Sequence, residues 1–200
     1  MVGDVTALLD GTAGRVVVGI TGPPGAGKST CALELVASIG GAAYLPMDGF
    51  HLSNVALDRL GRRDRKGAID TFDAAGYVAA LRRVRAEYQE RDVYVPAFDR
   101  SLDEPTAAGH VIPAECRLVV TEGNYLGVAG GEWAAVRGLL DRLYYVDCPP
   151  DVRRERLVAR HIDGGRATEA AEVWVDQVDE PNARMIATTR AFCDRVVDGC

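Results

Sequence analysis

Residues 15–41 read RVVVGITGPPGAGKSTCALELVASIGG. Arg15 to Ile20 is a short β-branched run, the signature of a buried strand. From Lys28 on, apolar residues recur at helical spacing until Gly40-Gly41, a C-terminal stop signal. Between strand and helix, Gly22-Pro23-Pro24-Gly25-Ala26-Gly27-Lys28-Ser29 satisfies G-x-x-x-x-G-K-[ST]. The glycines let backbone N–H groups turn inward around an anion, and the next helix points its positive end at the same place. The pattern therefore predicts a phosphate-binding loop made by Gly22, Pro23, Pro24, Gly25, Ala26, Gly27, Lys28, Ser29 and Thr30. Lys28 would reach the β- and γ-oxygens of ATP, and the Ser29 hydroxyl would ligate Mg²⁺. The chain holds only two lysines, Lys28 and Lys66, so the match does not arise from lysine abundance.

Beyond this stretch, residues 42–47 form a weaker strand and 51–72 a polar loop region with one helical turn. Residues 74–89 form a helix, with apolar positions at Tyr77, Val78, Leu81, Val84 and Tyr88. Short strands are predicted at 93–98, 117–121, 143–146 and 195–197, with an irregular stretch over 99–110. Helices are predicted at 152–162, 168–178 and 182–192. Strands alternating with helices imply an α/β domain with a parallel sheet covered on both faces.

The 200 residues fit a single domain, large enough to hold a core without disulfides or a structural metal. A formal net charge of −6 argues against nucleic acid or an anionic membrane as the main partner. The five cysteines, Cys31, Cys116, Cys148, Cys193 and Cys200, form no C-x-x-C pair, so no zinc or redox site is suggested. Reduced thiols, no signal peptide and no apolar run of membrane-spanning length together predict a cytoplasmic protein. A homodimer is compatible with this composition.

Glu122 ends an apolar strand, where it is either a magnesium-side acid or an exposed strand-end carboxylate. Asp48, before Gly49, reads equally as a turn residue. A family resemblance bears on both. Met47-Asp48-Gly49-Phe50-His51, Arg65-Lys66-Gly67-Ala68-Ile69-Asp70-Thr71-Phe72-Asp73, Val95-Pro96-Ala97-Phe98-Asp99 and Glu122-Gly123-Asn124-Tyr125 resemble the phosphoribulokinase/uridine kinase/bacterial pantothenate kinase family, over about residues 15–198. The likeness implies a doubly wound parallel sheet of order 2-3-1-4-5 and a mobile arginine-bearing lid, at about 151–168. It implies that Asp48 is the catalytic base and that Ser29 and Glu122 hold the metal. It places acceptor binding at about 48–73 and 93–113, with His51, Arg65, Lys66, Asp70 and Tyr125 as candidates. Asp73 is either part of that element or the N-cap of the next helix.

Arg153, Arg156 and Arg160 lie at i, i+3 and i+7, on one helix face, with Arg166 beyond. Guanidinium groups on a transferring phosphoryl group stabilise transition-state charge, and Arg156 and Arg160 are the catalytic candidates, with Arg166 at the nucleotide. A solvated face paired with Asp151, Glu155 and Asp163 is the alternative.

The expected activity is transfer of the γ-phosphoryl group of ATP to a hydroxyl of a small metabolite: a sugar, polyol, hydroxy acid or pantothenate-like acceptor. A uridine or nucleoside kinase is one alternative and a regulatory P-loop nucleotide hydrolase another. Against the nucleoside, the uridine kinases carry Y-D-x-x-x-H-x-R where this chain has Phe98-Asp99, with Asp103 and Pro105 at the histidine and arginine positions. Against a GTPase switch, no lysine is available for an N/T-K-x-D element.

Overall fold

The structure, a computed structural model, describes residues 1–199. Cys200 lies outside the described residues, and the described cysteines form no disulfide. Strand β1 (Val16–Thr21) is flanked by two strands formed far along the chain, Leu118–Glu122 and Arg142–Asp147. Ala43–Pro46 and Arg195–Asp198 form the two edges. Two further strands, Val93–Asp99 and Glu104–Ile112, make a separate hairpin and are β3 and β4 in chain order. The flanking strands are then β5 and β6, and the edges β2 and β7. All four ladders of the main sheet are parallel. Counting only its five strands, the spatial order is 2-3-1-4-5, as the resemblance implies.

The central place of β1 comes from its alternation. Val16, Val18 and Ile20 pack under helices α1 (Val2–Asp10) and α2 (Lys28–Ser38), with Val5, Ala32 and Leu35. Val17 faces the opposite layer, with Leu143, Tyr145, Leu81 and Trp133. Gly19 shares that second face, where a Cβ would come within 2.6 Å of Leu140 Cδ1 and 2.9 Å of Leu143 Cδ1. A strand buried on both faces reads as a continuous apolar run, which is what Val16–Ile20 is. The start of β1 is pinned by Arg15. Its buried guanidinium donates to the carbonyls of Cys116 (2.7 Å), Val84 (2.6 Å), Pro113 (2.6 Å) and Ala114 (2.9 Å).

Register then sets the site. Glu122 lies level with Ile20 on one side and Pro46 on the other. The phosphate loop, the turn after β2 and the end of β5 therefore emerge together at the carboxyl edge, where open α/β sheets bind ligands.

The structure corrects several sequence expectations. The stretch 99–110 is not irregular. Most of it belongs to β4, which pairs antiparallel with β3. Only Ile112 of β4 is buried, and the strand lacks alternation, so periodicity gave no signal. The N-terminal helix α1 buries only Val5 and was likewise unannounced. The loop 51–72 holds a full helix α3 (Asn54–Leu60), capped by Ser53, which accepts from the Ala56 N–H. Helix α4 (Ala74–Ala86) is N-capped by Asp73, which accepts from the Gly76 N–H at 2.8 Å. Helix α5 spans Pro150–Asp163. The two expected helices at 168–178 and 182–192 are one continuous run. Helix α6 (Thr168–Trp174) passes through a π turn (Val175–Asp179) into α7 (Glu180–Ala187). The irregularity falls just before Pro181, which has no N–H to donate to the preceding turn.

Candidate active site

The phosphate loop takes the form its glycines require. Gly22 and Gly25 have φ of 149° and 78°. A Cβ at Gly22 would stand 2.5 Å from the Val146 carbonyl oxygen, and one at Gly25 would stand 2.9 Å from that of Arg153. Lys28 opens α2 and is buried. Its Nζ donates to the Pro23 carbonyl at 3.0 Å, and it forms no ion pair among the described residues. Burial pushes its ammonium down from 10.5 to about 8, against the pull of Glu122 and Asp48. A buried cation with no counterion in contact is a site built for an anion from outside.

Beside it, Glu122 is only 4% exposed. Its Oε1 accepts from the Tyr44 hydroxyl at 2.7 Å, and the Tyr44 ring meets His110 of β4 edge-on at 5.4 Å. Burial and the Asp48 charge raise the Glu122 carboxyl above its ordinary range, while Lys28, Tyr44 and Ser29 favour its charged form. Ser29 and Glu122 therefore offer two hard oxygen donors next to the anion site, which suits Mg²⁺ completed by phosphate and water. No cluster of three or more His, Cys, Asp or Glu side chains able to hold a metal exists among the described residues.

Asp48 lies in the 3₁₀ turn Met47–Phe50 after β2. Gly49 lets this turn press onto β3, since a Cβ there would sit 2.3 Å from the Pro96 carbonyl oxygen. The Asp48 carboxylate is half-buried, with Arg100 Nη2 3.7 Å away. His51 Nδ1 lies 2.8 Å from the Asp48 carbonyl, which can only accept, so Nδ1 carries the proton and Nε2 is left as an acceptor. The imidazole packs between Phe72 (4.0 Å) and Phe98 (4.7 Å), and burial lowers its pKa, favouring the neutral form.

A cleft of about 1100 Å³ joins these groups. Lys28, Ser29, Asp48, His51, Lys66, Glu122, Arg160 and Arg166 all line it, and Thr30 lines the adjoining recess with Arg156. Arg156 donates to the Gly25 carbonyl at 3.4 Å. Arg160 forms no ion pair among the described residues, whereas Arg153 is buried against Glu180 (3.3 Å) and the Pro24 carbonyl (3.4 Å). Arg166 lies over the Trp174 ring at 3.8 Å.

Other candidates are spent on the framework. Arg65 pairs with Asp70 at 2.8 Å, and Arg62 reaches the same carboxylate at 3.3 Å. Tyr125 is buried and donates to the Gly67 carbonyl at 2.6 Å. Arg65, Asp70 and Tyr125 are not among the residues lining the cleft. Lys66 ties the loop to the hairpin turn through Asn54 (2.7 Å) and the Asp103 carboxylate (3.0 Å). Sequence reasoning missed Trp174 and Asp179, which line the cleft together with Arg100 and His161. Asp179 reads in the sequence only as the start of a helix before Pro181.

Comparison with known proteins agrees with this geometry. The chain is 33% identical to YggC of Escherichia coli (strain K12) over 190 residues, covering 92% of this chain and 78% of that protein. It is 33% identical to a candidate uridine kinase, C227.14, of Schizosaccharomyces pombe (strain 972 / ATCC 24843), covering 76% and 68% of the two chains. Among solved structures, a candidate fructose transport system kinase from Silicibacter sp. TM1040 superposes with a TM-score of 0.86 at 33% identity, covering 96% of this chain and 98% of the other. The model of the phosphoribulokinase / uridine kinase family matches residues 17–195. Carrying its phosphate loop and cleft on that fold, the chain belongs to the phosphoribulokinase/uridine kinase family of P-loop kinases.

Proposed function

We propose that the protein transfers the γ-phosphoryl group of ATP to a hydroxyl of a small metabolite, with Mg²⁺ as the metal. One observation carries the reading: a buried lysine, without a counterion among the described residues, shares the carboxyl edge of the sheet with two carboxylates, Asp48 and Glu122. Lys28 and the loop N–H groups hold the phosphates. Ser29 and Glu122 hold the metal, which when bound neutralises charge on the transferring group. Asp48, with Arg100 3.7 Å away, accepts the proton of the attacking hydroxyl and orients it. Arg156 and Arg160, on α5 above the phosphate loop, place charge where it develops in the transition state, and α5 with the turn after it closes as a lid.

Sugars, polyols, hydroxy acids and pantothenate-like compounds are the acceptors that suit a cleft with these charged walls. The likeness to C227.14 favours a nucleoside as the second reading. Against it, Asp103 is engaged by Lys66 and Pro105 lies within β4, so neither is free to serve a pyrimidine edge. An unmet buried hydrogen bond costs about 1–3 kcal/mol, enough to make uridine a poor acceptor. The test is ADP release with sugars, polyols, glycerate, pantothenate and nucleosides. Turnover with at least one non-nucleoside acceptor, lost in Lys28→Ala, is expected. Turnover with uridine alone would select the nucleoside reading, and acceptor-independent hydrolysis alone would select the hydrolase.

A further inference from the structure

The cleft that Asp48 lines holds a second carboxylate in a different setting. Asp179 is the last residue of the π turn between α6 and α7. A π turn adds one residue to a helical turn, so it rotates the next helix by about 100° relative to an uninterrupted one. Here it delivers Asp179 to the cleft wall. The side chain is 10% exposed, and its Oδ2 is 2.8 Å from Nε2 of His161, on the last turn of α5. Its other oxygen, Oδ1, has no partner among the described residues and is not sealed from solvent. Asp48 and Asp179 both line the same cleft, with Arg160.

Resting on the kinase reading above, we propose that Asp179, held by His161, is the acceptor's second anchor and selects a non-aromatic polyhydroxylated substrate. Asp48 takes the reacting hydroxyl, and Asp179 Oδ1 accepts from another hydroxyl of the same molecule. An ionised carboxylate only accepts hydrogen bonds, so two of them in one cleft suit a ligand whose polar groups are mainly O–H donors. A pyrimidine edge presents mostly carbonyl acceptors and matches this pair poorly. His161 fixes the Asp179 carboxylate in one orientation, which lowers the ordering cost of binding.

The experiment is calorimetric titration of the full chain, loaded with Mg²⁺ and ADP, with D-fructose, D-ribose and D-glucitol as probes and with uridine as a contrast. At least one polyhydroxy probe binds, and uridine binds more weakly. In Asp179→Asn and Asp179→Ala the dissociation constant of that probe rises roughly tenfold to a hundredfold, the loss of one charge-assisted hydrogen bond. The ADP dissociation constant stays within about twofold, which a general loss of structure would not allow. Asp179→Asn keeps the shape and an acceptor for His161, so it guards against misfolding in the alanine variant. Unchanged probe affinity in both variants overturns the proposal. So does a wild-type chain that binds none of the three probes. Neither result touches the kinase reading, which stands or falls on ADP release and on Lys28.

Discussion

Lys28→Met should make the nucleotide-free protein more stable while removing its grip on nucleotide. The ammonium is buried without a counterion, and its pKa falls from 10.5 to about 8. At about 1.36 kcal/mol per unit of pH, that gap is a penalty of roughly 3 kcal/mol on the charged folded state. Methionine keeps the unbranched stem and removes the charge. It also removes the 3.0 Å hydrogen bond to the Pro23 carbonyl, offsetting about 1–2 kcal/mol. The net gain of about 1–2 kcal/mol should raise the melting temperature by roughly 2–8 °C at pH 7 for a domain of this size. The pH dependence has a definite sign. Between pH 8 and 10.5 the unfolded chain binds more protons at this site than the folded one, so the wild type gains stability as pH rises. The penalty is complete below about 8 and gone above 10.5, so the two melting curves converge over that window. The assay is thermal melting at pH 7 and pH 10, with and without ADP. ADP should stabilise the wild type and leave Lys28→Met unmoved. A variant that melts below the wild type at pH 7, or that keeps the full ADP shift, would refute the reasoning.

Three further outcomes are expected. Asp48→Asn should lower kcat by roughly 10²–10⁴-fold with ATP affinity nearly unchanged, read by steady-state kinetics and calorimetry; collapse of ATP binding would place Asp48 in the metal site instead. Glu122→Gln, and to a smaller degree Tyr44→Phe, should raise the Mg²⁺ concentration needed for tight ADP binding without altering metal-free ADP binding; Tyr44 acts by holding the Glu122 carboxylate, and unchanged magnesium titrations would exclude both. Gly49→Ala drives a Cβ into the Pro96 carbonyl, so it should cost about 1–3 kcal/mol in stability and depress kcat through Asp48, with ADP affinity retained; a wild-type melting temperature would contradict the close approach.

How much the sequence discloses depends on how local each feature is. The phosphate loop is a continuous octapeptide with strand before and helix after, so its form could be read directly. Strands β1, β5 and β6 are buried on both faces and announce themselves as apolar runs. Strand β4 is held by its ladder to β3, with only Ile112 buried, and ladders leave no trace in composition. Arg65 and Asp70 look like site residues because both are charged and lie in a motif; only the fold shows that they neutralise each other. The His161–Asp179 contact spans 18 residues and depends on a π turn that no helical periodicity encodes. Arginine spacing, by contrast, placed Arg156 and Arg160 together on the side of α5 that meets the phosphate loop and cleft, because both lie on one unbroken helix.

The β3–β4 hairpin shares no ladder with the five-stranded sheet. It is attached by packing and by a few side-chain ties, among them Lys66 to Asp103 and the Asn54 N–H to Glu104 at 3.0 Å. An insertion or deletion in its tip therefore leaves untouched the strand register that sets Lys28 beside Glu122. The hairpin can thus vary in length while the strands that carry Lys28 and Glu122 keep their register, with Arg100 as its tie to Asp48. For directed evolution this makes residues 99–103 the place to randomise: libraries there should yield altered acceptor preference among clones that still fold and bind ADP.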